Sequence, residues 1–226
     1  TASYIEKINT YTVTWTNYDG TVLKTLEDVP YGEIVHFDMK DPKREDDNGI
    51  KYDFNGWNIP EEEITEDTTY VATYTNQYEV DFNIPSSFKT TLENRYFDNG
   101  SMIEEPLAQH EIYDESNKKV IDGWYYDSSF SNLVIFPIKV NRPITLYPKI
   151  VSAATVSYRN GRNTITSIND KIESLTFDSS FATAIDSWAF TSRTKLKSLT
   201  VPSNFYGFTS GNLNTTITKL YIKGGN

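Results

Sequence analysis

One short stretch of the chain concentrates oxygen atoms that could bind a metal ion. Carboxylate and amide oxygens are the hard ligands that calcium prefers. The donors here are Glu45, Asp46, Asp47, Asn48 and Asp53. Their spacing differs from that of an EF-hand loop, in which alternate positions carry the ligands around a central glycine. We therefore interpret the stretch as a solvated acidic loop, and we predict no metal site and no cofactor.

Acid–base and nucleophilic catalysis also lack a starting point in this sequence. The chain contains two histidines, His36 and His110, and no cysteine. An imidazole acts in catalysis only beside a nucleophile, a second ligand or an orienting acid. The spacing of the serines and acids pairs none of them with either histidine. The sequence thus predicts a protein that is not an enzyme.

Two Gly-Trp pairs, Gly56-Trp57 and Gly123-Trp124, stand 67 positions apart. An exposed indole could form a platform for a sugar or an extended peptide. Large aromatic side chains at recurring strand positions are more often buried. We expect both indole rings to belong to a core.

Alternating apolar residues repeat at the same offset. Tyr11-x-Val13-x-Trp15 recurs as Tyr78-x-Val80-x-Phe82, again 67 positions later, and each run has the period of a half-buried strand. The pattern predicts one module over residues 10–76 and a second over 77–150. The expected strands of the first module are 10–17, 21–29, 52–57 and 69–75. Those of the second module are 78–84, 88–96, 123–125 and 144–150.

The pattern changes after residue 150. Leu175-Thr-Phe177, Leu199-Thr-Val201 and Leu220-Tyr-Ile222 follow one another at 24 and 21 residues, a period typical of leucine-rich repeats. We predict a connector or capping coil over 151–168 and repeats over 169–226, with a short helix over 182–190.

The predicted repeats present one candidate binding face. The outer residues of each triplet should point inward and the middle residue outward, so stacked triplets would expose one row of polar side chains. The candidate partner-binding residues are Ser174, Thr176, Ser198, Thr200, Lys219, Tyr221 and Lys223.

Charge also changes along the chain. Residues 1–76 hold 16 acidic and 6 basic side chains, residues 77–150 hold 11 and 7, and residues 151–226 hold 4 and 8. The balances are −10, −4 and +4, which supports a module boundary near residue 150. We expect no nucleic-acid partner, because phosphate contacts need clustered Lys and Arg. No run of 18 apolar residues occurs, so we expect no membrane insertion within the chain.

The first two modules resemble a known family. The frame Tyr11-x-Val13-x-Trp15, Asp19-Gly20, Tyr31-Gly32, Phe54-x-Gly56-Trp57 and Ala72-x-Tyr74 is similar to the Listeria-Bacteroides repeat, or internalin B-repeat. Residues 77–150 resemble a diverged second copy that lacks the opening Asp-Gly turn. The resemblance implies small ubiquitin-like β-grasp modules in tandem. Residues 1–9 are expected to be the tail of a preceding module or a linker. Because Ala2-x-Tyr4 resembles the end of such a module, we expect the chain to come from a longer array.

The last segment resembles a second family. The run Ile185-x-x-x-Ala189-Phe190, Leu196, Leu199-x-Val201-Pro202 is similar to the BspA-type leucine-rich repeat. Together the resemblances imply a mainly β, elongated, monomeric protein of the bacterial surface, cell wall or exterior. Its expected function is that of an adhesin or a spacer presenting a leucine-rich region to a protein or glycan on a host or bacterial surface.

A first alternative function is a carbohydrate-binding accessory module of an exported glycan-degrading enzyme, and a second is a hydrolase whose substrate the sequence does not predict. Exposed tyrosines such as Tyr125 or Tyr126 would then contact the sugar. The identity of the partner and the organism are left open by the sequence.

Overall fold

The computed structural model describes residues 7–90, 92–191, 194–209 and 217–224. Strands dominate the described residues, and helical structure is confined to one short α-helix and one 3₁₀ turn among them. The prediction of a mainly β protein is confirmed. The predicted tail of a preceding module, Ala2-x-Tyr4, lies outside the described residues.

The elements follow one another in short segments. The first strands are β1 Thr10–Thr16, β2 Val22–Pro30, β3 Ile50–Trp57, β4 Thr68–Phe82, β5 Arg95–Asp98 and β6 Met102–Ile103. Helix α1 Gln109–Ile112 precedes β7 Tyr113–Asp114, β8 Lys119–Tyr125, β9 Ile138–Lys139 and β10 Ile144–Ser152. The remaining elements are β11 Ala154–Arg159, β12 Arg162–Ile168, β13 Ser174–Thr176, β14 Ala184–Asp186, the 3₁₀ turn Ser187–Ala189, β15 Ser198–Val201, β16 Gly207–Thr209 and β17 Lys219–Ile222.

The chain forms two compact units that interleave along the sequence. Unit 1 contains Thr1–Val80, Arg95–Ser101 and Lys139–Ile144. Unit 2 contains Asp81–Asn94, Met102–Ile138 and Thr145–Asn226. Most of the predicted second module therefore lies in the same unit as the predicted repeats.

Unit 1 is organised around strand β1. β1 pairs antiparallel with β2 and parallel with β4. Its alternation buries Val13 and Trp15 completely, and the ring of Tyr70 stacks on Trp15 at 5.4 Å between centroids. The turn between β1 and β2 is closed by Gly20, whose N–H donates to the Asn17 carbonyl at 3.0 Å and whose φ of 84° suits glycine.

The predicted boundary between two strands near residue 76 is wrong. Strand β4 runs without interruption through residues 76–78, where separate strands 69–75 and 78–84 were expected. β3 pairs with β4 up to Tyr78, and β5 pairs with it from Gln77 onward. Because one partner takes over where the other ends, the backbone stays hydrogen-bonded across the junction and no turn is needed.

The strand predicted over 88–96 is also wrong, since only Arg95–Asp98 forms a strand there. The chain instead turns at Pro85, whose carbonyl accepts the N–H of Phe88 at 2.8 Å. The N–H of Lys89 donates to the carboxylate of Asp114 at 3.2 Å. The Asp114 side chain thus accepts a backbone hydrogen bond that a neighbouring strand would otherwise have accepted.

The last segment of unit 2 contains a β-hairpin. β11 and β12 pair antiparallel across Asn160-Gly161, and both turn residues have positive φ, 48° and 79°. Asn-Gly is the preferred sequence of such two-residue turns. The segment predicted as a connector or capping coil over 151–168 therefore contains a hairpin, and β12 continues into a parallel pairing with β14 and then β16.

The helix predicted over 182–190 is wrong. Ala184–Asp186 forms strand β14, and only Ser187–Ala189 turns, as a 3₁₀ helix. Ile185 pairs in register with Ile165, and the Asp186 carboxylate accepts the N–H of Trp188 at 3.1 Å. Strand β12 and the Asp186 carboxylate thus supply hydrogen bonds to backbone groups that a longer helix would have paired internally.

Candidate binding face

The three predicted triplets form one parallel ladder. β13 pairs with β15 and β15 pairs with β17, so that Leu175, Leu199 and Leu220 stand in one row. The inward side chains Leu175, Phe177, Leu199 and Val201 are all at most 1 % exposed and belong to one core with Tyr113 and Val120. The alternation of the triplets explains this arrangement, because every second side chain of a strand points to the same side.

The structure brings the candidate residues together on the other side of this ladder. One row contains Ser174, Ser198 and Lys219, and the next contains Thr176, Thr200 and Tyr221. Lys223 follows at the end of β17, where its N–H donates to the Val201 carbonyl at 2.8 Å. We call these seven side chains the outer face. It offers four hydroxyl groups of Ser and Thr, one phenol and two ammonium groups.

One end of the outer face is occupied by a residue that sequence reasoning missed. The Gln109 side-chain oxygen accepts the N–H groups of Glu173 and Ser174 at 3.0 and 2.9 Å. Its Nε2 donates to the Ser174 hydroxyl at 2.6 Å and to the Ser174 carbonyl at 3.4 Å. The amide therefore imitates a neighbouring strand at the edge of β13. No motif in the sequence signals this contact, which joins residues 64 and 65 positions apart.

An ion pair supports the same end of the ladder. Lys171 Nζ lies 3.1 Å from Glu105 Oε1, and both side chains are about a quarter exposed, at 25 and 29 %. Glu105 lies just before α1 and Gln109 is its first residue, so two contacts from one short stretch hold the chain at the start of β13.

Positive charge accumulates toward the opposite end. Lys197 Nζ is paired with Glu173 Oε2 at 3.2 Å. Lys219 and Lys223 are exposed, and neither forms an ion pair within the part of the chain that the structure describes. The outer face thus changes from neutral hydroxyls at β13 to cationic groups at β17.

Neither histidine is part of the outer face. His36 is exposed, and its Nδ1 lies 2.6 Å from Glu61 Oε2. His110 belongs to α1, and its carbonyl accepts the Thr90 hydroxyl at 3.2 Å. Within the described ranges, neither imidazole forms a hydrogen bond with a serine hydroxyl.

The acidic stretch is an exposed loop. Glu45, Asp46, Asp47 and Asn48 are all exposed, and the Asn48 amide donates to the Asp47 carboxylate at 2.6 Å. In the described segments, no three acidic or histidine side chains approach closely enough to hold a metal ion. The neighbouring Arg44 lies between two rings instead, 4.3 Å from the Tyr18 centroid and 3.6 Å from that of Tyr52.

The two repeated tryptophans are buried to different degrees. Trp124 is 1 % exposed and meets Phe82 edge to face at 5.2 Å. Trp57 is partly buried and contacts Phe37 at 4.9 Å beside the core of Trp15. The predicted core position is confirmed for Trp124, whereas Trp57 covers the margin of a core.

Two exposed aromatic side chains, Trp188 and Tyr206, were not predicted. Trp188 is 75 % exposed and Tyr206 is 64 % exposed, and the Arg162 guanidinium lies 3.6 Å from the Tyr206 ring centroid. Asp186, which caps Trp188, is 5 % exposed and accepts a hydrogen bond from Arg159 at 2.9 Å. These residues belong to β11, β12 and the segments around β14 and β16, away from the outer face of the β13 ladder. Trp188 and Tyr206 do not recur at a repeat spacing, so no pattern in the sequence could predict that they are exposed.

Comparison with known proteins found no relative of this chain. No protein family, no curated protein and no solved structure matches the chain. Among the described residues, no helix is both long enough and apolar enough to span a lipid bilayer.

Proposed function

We propose that this chain is a non-enzymatic repeat protein that binds a partner through the outer face. It serves as an adhesin, or as a spacer presenting that face, on the surface, in the wall or at the exterior of a bacterium. The observation that carries the proposal is the in-register stacking of β13, β15 and β17, which aligns seven polar side chains on one surface. Stacked strands with such a surface are typical of repeat proteins that bind other proteins.

The residue pattern supports the finer architecture. The Tyr-x-Val-x-aromatic frame favours two β-grasp-like modules over 10–76 and 77–150, and the Leu-x-aliphatic triplets favour a leucine-rich segment over 169–226. The partner in this proposal is a protein or glycan on a host or bacterial surface, and the chain acts as a monomer.

Binding of the full chain to immobilised matrix proteins and glycans tests the proposal. Thr200→Glu places a charge in the middle of the outer face, so we expect it to abolish binding. Thr155→Glu is the matched control, because Thr155 is an exposed strand threonine of the same unit outside the outer face. Circular dichroism of both variants should show an unchanged strand signal. A folded chain that binds no member of the panel, or binding equally reduced by both variants, would contradict the proposal.

A specific observation favours a second candidate function, that of a carbohydrate-binding accessory module. Exposed aromatic rings beside cations bind sugars well, and Tyr206 with Arg162 forms such a pair. Of the tyrosines predicted for this role, Tyr126 is 39 % exposed, whereas Tyr125 packs against Phe130 at 5.4 Å. Polysaccharide binding lost in Tyr206→Ala or Tyr126→Ala and retained in Thr200→Glu would favour this candidate over the first.

A further inference from the structure

The segment that contributes most of the outer face carries positive charge only. Residues 187–226 contain five basic side chains and no acidic one, although the net charge of the whole chain is −10. Any acidic partner of these cations must therefore come from another segment. Glu173 is such a partner for Lys197, at 3.2 Å. Lys219 and Lys223 form no ion pair within the part of the chain that the structure describes.

The acids that flank β13 are already engaged within the protein. Glu173, before the strand, is paired with Lys197. Asp178, after the strand, accepts the Ser180 hydroxyl at 2.5 Å. The same carboxylate accepts the N–H groups of Ser180 and Phe181 at 3.0 and 3.1 Å. The outer face therefore combines two ammonium groups with no carboxylate of its own.

The other side chains of the outer face are hydroxyl groups and one aromatic ring. The hydroxyls of Thr176, Ser198 and Thr200 are partly exposed, and they form no hydrogen bond with another protein group among the described residues. A hydroxyl can both donate and accept a hydrogen bond, as the hydroxyls of a sugar do. Tyr221 is 52 % exposed and stands two positions from both Lys219 and Lys223. Since alternate residues of a strand share one side, this ring lies between the two lysines.

We propose that the outer face binds an anionic polysaccharide. Its charged groups are carboxylates or sulfates, which an ammonium group binds alike because it acts as a point charge. The charged groups meet Lys219 and Lys223, and the apolar side of a sugar ring lies on Tyr221. The sugar hydroxyls pair with the rows of Ser and Thr hydroxyls. This inference rests on the proposed function, because it names the ligand class of the same face.

The composition of the face favours a polysaccharide over an acidic polypeptide. Ser and Lys are both depleted in protein–protein interfaces, whereas the outer face contains two of each. An extended polypeptide would also need partners for its own backbone N–H and C=O groups. The central strand β15 cannot supply them, since it is paired with β13 on one side and with β17 on the other.

A further repeat beside β17 would leave this site open. Strands of a repeat array add at the edge of the ladder, so a new strand would extend the rows of the outer face sideways. Its inward side chains would cover Leu220, which lies on the opposite side of β17. The inference uses the outward side chains alone.

Binding of the full chain to two pairs of polysaccharides tests the inference. Polygalacturonate is compared with its methyl ester, and dextran sulfate with dextran, so each pair differs in charge and shares its sugar backbone. Affinity gel electrophoresis measures the binding. We expect at least one charged polymer to bind, with its neutral counterpart at least about tenfold weaker, because exposed ion pairs are lost. High salt should reduce that difference.

Variants of the lysines and of the ring sharpen the test. Lys219→Gln combined with Lys223→Gln should weaken the charged polymer about tenfold. Lys119→Gln combined with Lys149→Gln is the matched control, because it removes two charges from exposed positions of β8 and β10 in the same unit. Tyr221→Ala should weaken binding too, whereas Tyr221→Phe keeps the ring and should preserve it.

Three results would overturn the inference. These are equal binding of the charged and neutral polymers, equal weakening by both lysine pairs, and binding of polyglutamate as tight as that of the charged polysaccharide. The last result would make an acidic polypeptide an equal occupant. If a protein or a neutral glycan binds instead, and Thr200→Glu abolishes that binding, this inference fails while the proposed function stands. If Thr200→Glu abolishes no binding at all, both fail.

Discussion

The two ends of the β13–β15–β17 ladder carry the same residue pattern and differ in what lies beside them. At β13, the Gln109 amide pairs with the strand edge, and Leu175 is fully buried. At β17, no described strand follows, and the equivalent Leu220 is half exposed. The pattern of a triplet thus favours a strand and its register, whereas burial of its leucine depends on the neighbour that covers it.

The largest expected difference is in how much the leucine row stabilises the fold at a buried strand and at β17. We predict that Leu199→Ala lowers the free energy of unfolding by about 3 kcal/mol, because it leaves a cavity in a packed site. Leu220→Ala should lower it by less than about 1 kcal/mol, since half of that side chain is already in water. Urea denaturation of both variants measures the difference. Equal losses would mean that β17 is covered in solution.

The carboxylate of Asp114 lies in β7, directly after the helix that supplies Gln109. Burial acts to raise the pKa of Asp114, but hydrogen bonds from the Lys89 N–H and from Asn117 outweigh burial and hold it below the usual 3.8. A lowered pKa stabilises the fold above the unfolded-state value, and that contribution disappears as pH falls through the folded-state pKa. We therefore predict a loss of stability as the pH falls below about 4.

Asp114→Asn tests this prediction. The amide cannot accept on both sides as the carboxylate does, so we expect a loss of about 2 kcal/mol at neutral pH and a flatter acid limb in the stability profile. Denaturation series between neutral and acidic pH provide the measurement. An unchanged acid limb would show that other carboxyls control the acid response.

The Gln109 contact should contribute less, because water can replace part of it. We predict that Gln109→Ala lowers stability by about 1 kcal/mol and speeds hydrogen exchange at the Ser174 amide. Gln109→Glu should restore the two accepted bonds but not the donated one, giving an intermediate effect. Exchange at the β17 amides is the internal control, and an equal change there would contradict a local role at the β13 edge.

The Glu105–Lys171 ion pair should have the smallest effect. Partly exposed pairs contribute little, so Glu105→Gln is expected to cost less than about 1 kcal/mol, and less still in high salt. Thermal denaturation at two salt concentrations checks this expectation. A larger, salt-independent loss would indicate that Glu105 acts through packing.

Local alternation was enough to predict some elements but not others. The expected strands at 10–17, 21–29, 123–125 and 144–150 are present, because each carries its own period-2 pattern. The strand expected over 88–96 failed because Asp114, a residue distant in sequence, takes the Lys89 N–H. The helix expected over 182–190 failed because β12 offers a parallel partner to Ile185.

The candidate site shows the same limit. The triplet spacing predicted the rows of the outer face, since each row repeats one position of the pattern. The Gln109 contact and the exposure of Trp188 carry no such repetition. Single long-range contacts leave no periodic trace in a sequence, so only the structure shows them.

The uneven surroundings of the four tryptophans give the molecule its own optical probes. Trp15 and Trp124 are buried, and neither indole N–H has a hydrogen-bond partner among the described residues, whereas Trp188 is 75 % exposed. A collisional quencher such as iodide should therefore extinguish the long-wavelength emission of Trp188 first. A ligand that covers Trp188 would protect that emission, while one that binds the outer face would leave it unchanged.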